Sequence, residues 1–171
     1  MAITHQKFRE IVFLFLYRQD FAQSEDIENS SLIMEQLSVT RKNVLDAAEK
    51  ARSVRKKLIE IDAKIAETST SYEFERIQII ERNILRLGLF ELFYDETIPP
   101  KVAIAEALRL TKKFSTPAST SFVNAVLDHL YKKSLGEDSD QETVEQAFLD
   151  LKKSEEEALK QKNESDSLSK E

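Results

Sequence analysis

The stretch from Ile80 to Tyr94, IERNILRLGLFELFY, constrains this chain more than any other. Wound at 3.6 residues per turn, it puts Ile80, Ile84, Leu87 and Glu91 on one side and crowds Leu85, Leu89, Leu92 and Phe93 beside them. A helix that is apolar around nearly its whole circumference has to be buried, so it belongs at the centre of a helical domain. Asp95 to Pro100 ends it, and Pro100 suits the first turn of a following helix, where a missing amide proton costs little. Ser115-Thr116-Pro117 repeats that punctuation, so Ile80 to Lys133 reads as three consecutive helices.

The rest of the chain agrees with an all-α fold. Its 171 residues include only 2 Gly and 3 Pro, too few for the turns of an all-β protein. Thr4 can cap a first helix to about Phe21, with Phe8, Ile11, Val12, Phe15 and Leu16 facing a core. Ser24 to Asn29 reads as a polar loop, and Ser30 or Ser31 can cap a short helix carrying Leu32, Ile33 and Leu37. From Thr40 to about Glu67 the spacing predicts the longest helix, with Val44, Ala47, Ala51, Val54, Leu58, Ile61 and Ile65 alternating by three and four. Its Arg52-x-x-Arg55-Lys56-Lys57 run reads first as a solvated face. In the last core helix Phe122, Val126 and Leu130 share a stripe, and by spacing alone Phe122 is a core residue. By the same reasoning Tyr17 is a rim residue with a buried ring and a wet hydroxyl.

Composition also removes several chemistries. Gly88 and Gly136 are too few for a phosphate-cradling loop or a dinucleotide fingerprint, so nucleotide-dependent catalysis is not expected. With no cysteine and with His5 and His129 far apart, neither a thiol nucleophile nor a metal site is expected. The longest apolar run, Ile11 to Tyr17, is 7 residues, far short of the ~20 needed to span a bilayer. Glu10 abuts it, Arg18 and Asp20 follow it, and no small-residue cleavage site stands after it, so a cytoplasmic protein is expected.

The net charge of −6 hides an uneven distribution. From Ser134 onward stand 12 acidic and 5 basic residues, leaving Met1 to Lys133 at +1. The expected organisation is a helical domain over 1–133 and an acidic tail over 134–171. Within that tail, Gln141 to Lys162 can form an amphipathic helix through Val144, Phe148, Leu151 and Leu159, and Asn163 to Glu171 is expected to be disordered.

Several ordered blocks in this chain resemble the NusB family of bacterial transcription antitermination factors. They are Arg9-Glu10 with Leu16-Tyr17, Glu81-Arg82-Asn83-Ile84-Leu85-Arg86 with Phe90-Glu91-Leu92, Ile98-Pro99-Pro100-Lys101-Val102-Ala103-Ile104-Ala105-Glu106-Ala107, Lys113-Phe114, and Phe122-Val123-Asn124-Ala125-Val126-Leu127-Asp128. The resemblance covers about Gln6 to Lys133. It implies a helical bundle of two three-helix halves, with the acidic C-terminal extension outside it. It also implies a function without covalent chemistry or cofactor: binding the single-stranded boxA element of ribosomal RNA transcripts together with NusE, a small-subunit ribosomal protein, within the transcription elongation complex.

On that resemblance, Lys7 and Arg9 are expected to contact the RNA backbone, Tyr17 and Phe122 to stack on unpaired bases, and the helix start near Ser119 to offer amides to a phosphate. Tyr17 and Glu81 are expected to face the protein partner. The chain departs from the family pattern at Ala118, Ser121 and Ala125, each change removing a charge or a close backbone approach. The alternative reading is a helical protein-interaction module whose RNA binding is lost or masked by the tail.

Overall fold

The computed structural model describes residues 2–21, 30–68 and 70–168. Among them are eight helices and no strand: α1 His5–Gln19, α2 Ser30–Leu37, α3 Arg41–Lys56, α4 Leu58–Ala66, α5 Ile79–Phe93, α6 Pro100–Phe114, α7 Pro117–Ser134 and α8 Gln141–Leu168. A 3-10 turn at Phe74–Arg76 precedes α5. The polar loop expected over Ser24 to Asn29 lies outside the described residues.

Helix α5 holds the molecule together. It packs against α1, α3 and α4 on one side and against α6 and α7 on the other, so two three-helix halves meet on it. Ile84, Leu85 and Leu89 have no exposed surface. Gly88 lies where α5 crosses both neighbours in the second half. A Cβ there would stand 3.2 Å from the Ala107 Cβ and 3.5 Å from a Leu127 methyl, so the missing side chain sets how closely the three helices approach.

Local chemistry explains most helix ends. Thr4, Thr40 and Thr116 each accept a hydrogen bond from the third residue onward, at 3.1, 3.3 and 3.2 Å, which satisfies one orphan amide at the starts of α1, α3 and α7. Pro100 and Pro117 occupy first-turn positions, as their fixed φ favours. Helix α7 stops at Gly136, whose φ of 72° is the left-handed conformation. The Glu137 amide donates to the Lys132 carbonyl at 3.0 Å and the Gly136 amide to the Lys133 carbonyl at 3.1 Å, the paired bonds of a Schellman end.

Two features differ from the pattern reading. The long helix expected over Thr40 to Glu67 is broken at Lys57, whose amide donates to the Val54 carbonyl three residues back at 3.0 Å. The apolar stripe survives the break, with Val54 and Ile61 both fully buried. That is why periodicity alone ran the two helices together. The longest helix is instead α8, which continues past Lys162 to Leu168.

Helix α8 also docks. Val144, Phe148 and Leu151 are buried against α7 and the turn before α5. The Phe148 ring stacks on Tyr72 at 3.8 Å between centroids and meets Phe122 edge-on at 5.7 Å. Beyond Glu155 every described side chain of α8 is exposed. No described helix is long and apolar enough to cross a membrane.

Truncating a buried Phe costs about 3–5 kcal/mol through lost transfer energy and the cavity left behind. Phe148→Ala is therefore expected to lower unfolding free energy by about 3 kcal/mol in a urea titration, whereas a change below about 0.5 kcal/mol would mean that α8 is undocked in solution.

Candidate nucleic-acid interface

Helix α5 buries four polar side chains, Glu81, Asn83, Arg86 and Glu91, which together reach α1, its C-terminal end, α4 and the α6–α7 junction. Arg9 of α1 comes to Glu91: its Nε donates to Oε1 at 3.0 Å and Oε2 at 2.9 Å, while Nη1 stands 3.7 Å from Glu106 of α6. Burial pushes the Glu91 carboxyl above the usual carboxylate range, with the Arg9 charge opposing that rise. Arg9 is only 7% exposed, so the expectation that it contacts an RNA backbone is corrected; its charge is spent on the core. Lys7, two residues earlier, is half-buried at the start of the same helix.

Glu81 is corrected in the same way. At 2% exposed it faces the α6–α7 junction, where its Oε1 accepts hydrogen bonds from the Ser115 hydroxyl at 2.5 Å and the Ser119 hydroxyl at 2.6 Å. Its Oε2 is buried with no hydrogen-bond partner among the described residues. Ser119 is itself 1% exposed, its hydroxyl on Glu81 and its amide on Thr116 Oγ1, so it is not the open phosphate contact expected of it. Phe122 is the third correction. Its ring has no exposed surface and abuts the stacked Tyr72–Phe148 pair, 6.2 Å from Tyr72 and 5.7 Å from Phe148, so no base can stack on it while α8 is docked.

Tyr17 remains at the surface edge as expected, half-buried, with Phe13 at 6.1 Å on one side and Phe21 at 5.0 Å on the other. Phe21 is 64% exposed. It was missed as a candidate, although its position four residues after Tyr17 put both rings on one face of the helix. Just past α1, Asp20 accepts from Asn83 Nδ2 at 2.6 Å, and Arg86 bridges Asp20 at 3.3 Å and Asp62 of α4 at 2.8 Å. Burial works against the Arg86 charge, but Asp62 and Asp20 hold its pKa above the ordinary guanidinium value. The aromatic pair thus stands on a rigid polar base.

A second open region lies where α6 meets α7. A groove of about 350 Å³ is lined by Leu108, Lys112, Ser115, Thr116, Thr120, Ser121 and Asn124, among others. Lys112 and Ser121 are exposed there. The start of α1 is fastened beside the same stretch of α6: Arg109 and Lys113 each donate to Glu10 at 2.8 Å, and Arg109 also donates to the Gln6 carbonyl at 3.1 Å. Lys7 stands at this fastened end of α1, while Tyr17 and Phe21 form an aromatic edge at the other end.

Residues 6–132 match the model of the NusB family. The chain is similar to the transcription antitermination protein NusB of Chlamydia pneumoniae, 38% identical over 135 residues covering 78% of this chain and 84% of that protein. It is also similar to the NusB of Lachnoclostridium phytofermentans, 33% identical over 129 residues covering 73% and 96%. Among solved structures, T. maritima NusB matches with a TM-score of 0.65 at 30% identity, covering 85% of this chain and 99% of that one. NusB in a complex with NusE and double-stranded RNA matches with a TM-score of 0.64 at 28% identity, covering 75% and 96%. Helix α8 lies beyond the residues matched by the family model.

Removing one partner of a buried ion pair strands the other charge, at a cost of about 3–5 kcal/mol, whereas replacing both by apolar groups is often neutral. Arg9→Met is thus expected to destabilise by about 3 kcal/mol, and Arg9→Met combined with Glu91→Leu to recover most of that in denaturant titrations.

Proposed function

The chain belongs to the NusB family, and from that membership we propose that it is a transcription antitermination factor that binds single-stranded boxA RNA jointly with NusE within the elongation complex. The observation that carries this reading is the family match across 6–132, joined to the structural likeness to NusB bound to NusE and RNA. The role is one of binding, without covalent chemistry, in the bacterial cytoplasm.

We assign the RNA to the groove between α6 and α7. Exposed Lys112 and half-buried Lys7 supply salt-sensitive phosphate contacts, and Ser121, Thr120 and Asn124 supply hydrogen bonds to bases or sugars. The partner is assigned to the aromatic edge of Tyr17 and Phe21.

The docking of α8 supports a second reading, in which part of the RNA surface is masked. Phe148 covers Phe122, and the helix that carries it is rich in acidic residues. Undocking α8 would uncover the Phe122 and Tyr72 rings beside α7.

Fluorescence anisotropy with a short boxA RNA and a scrambled control, with and without NusE at two salt concentrations, tests the main reading. The expected result is tighter binding of boxA when NusE is present, and an affinity about tenfold weaker for Lys112→Glu. Equal affinity for the two RNAs in the presence of NusE overturns the proposal. For masking, a Val144→Ser/Phe148→Ser variant whose circular dichroism shows an intact body is expected to bind RNA more tightly; unchanged affinity removes that reading.

A further inference from the structure

Helices α3 and α4 carry a second stripe beside the one that faces the core. Arg41, Leu45, Ala48, Arg52, Arg55 and Ile59 follow one another by four and three residues, the spacing that lets one helix lie along another at a shallow angle. The stripe is open at Arg41, Leu45 and Ile59 and half-buried at Ala48, Arg52 and Arg55. Leu45 is 40% exposed and Ile59 88% exposed, while Arg41 is exposed one turn before Leu45. The surroundings are strongly basic: Arg41 to Lys57 holds 7 basic and 2 acidic residues.

Helix α8 carries a stripe of the same spacing and opposite charge. Beside its docked residues run Glu145, Leu149, Lys152, Glu156 and Leu159. Leu149 is 58% and Leu159 61% exposed. Laid parallel, the two stripes pair Arg41 with Glu145, Leu45 with Leu149 and Arg52 with Glu156, and set Leu159 beside Arg55, one turn before Ile59. An antiparallel arrangement that pairs Leu45 with Leu159 brings Arg52 against Lys152, a like-charge contact. Of these two registers, charge favours the parallel one. Arg52, Arg55 and Glu145 also interact within their own chain, and the pairing asks only that they lie alongside their neighbours in the second copy.

We propose that the exposed stripe of α8 docks on the α3–α4 stripe of a second copy of this chain, making a self-association surface built from the segment beyond the family-matched residues. The two stripes differ from one another. A two-fold arrangement therefore uses both contacts twice and closes as a dimer, and one that does not close grows into longer arrays. Both put the same side chains together.

Sedimentation velocity over a concentration series, on the full chain at low and high salt, tests this. Concentration-dependent association that weakens as salt rises is expected. Leu149→Glu/Leu159→Glu and, separately, Leu45→Glu/Ile59→Glu are each expected to raise the dissociation constant by about tenfold or more. All four side chains are exposed, so neither variant loses core packing, and unchanged circular dichroism verifies that. An equimolar mixture of the two variants keeps one intact stripe of each kind and is expected to associate more than either alone. A chain that stays monomeric at about 100 μM in low salt overturns the proposal, since paired interfaces of ordinary size hold at that level. So does association that both variants leave unchanged, or a mixture that behaves as its separate components. A groove that serves another protein or RNA instead gives the monomer result.

Discussion

Burial of α5 on all sides creates the requirement that the rest of the molecule satisfies. Its apolar residues can be covered by any well-shaped neighbour, but Glu81, Asn83, Arg86 and Glu91 lose water with the rest of the helix and must each find a specific partner. Arg9 answers from α1, Asp62 from α4, Asp20 from the end of α1, and Ser115 with Ser119 from the α6–α7 junction. Apolar packing alone would tolerate several arrangements of helices around α5. The four polar positions select one, because sliding any neighbour by a turn would leave a buried charge or amide unpaired.

These same residues lie within the blocks that resemble the family, yet they stay off the surface. Glu81, Asn83 and Arg86 stand together in one run of the sequence, and all three work inward. The open positions are their neighbours in space: Tyr17 and Phe21 above the Asp20–Arg86 cluster, and Lys112 and Ser121 outside the Glu81–Ser119 cluster. The buried network fixes the height and angle of the elements that present those residues, so the proposed interface is placed by groups that face inward.

The helices were legible in the sequence because their signals are local: hydroxyl caps, first-turn prolines and apolar spacing all act within a few residues. The break at Lys57 was not, since no glycine or proline marks it and the core stripe runs through unchanged. Site residues were harder for a different reason. Arg9 looks the same in sequence whether it meets a phosphate or Glu91, 82 residues away. Phe122 shows the difficulty from the other side. Its spacing alone made it a core residue, and the chain buries it with a side chain from the tail, a contact that no window around Phe122 contains.

The two halves of α8 are unequal, and this has a thermodynamic consequence. From Gln141 to Leu151 the helix has buried side chains, while from Glu156 to Leu168 it is surrounded by water. An isolated helix of that second length is marginal, because the first hydrogen-bonded turn must fix several dihedrals for a single bond. Here the docked turns supply that nucleus, and the remainder only propagates from it. Helicity near Leu168 is therefore a remote reporter of whether Phe148 is seated on Tyr72, with the message carried along a backbone that touches nothing on the way.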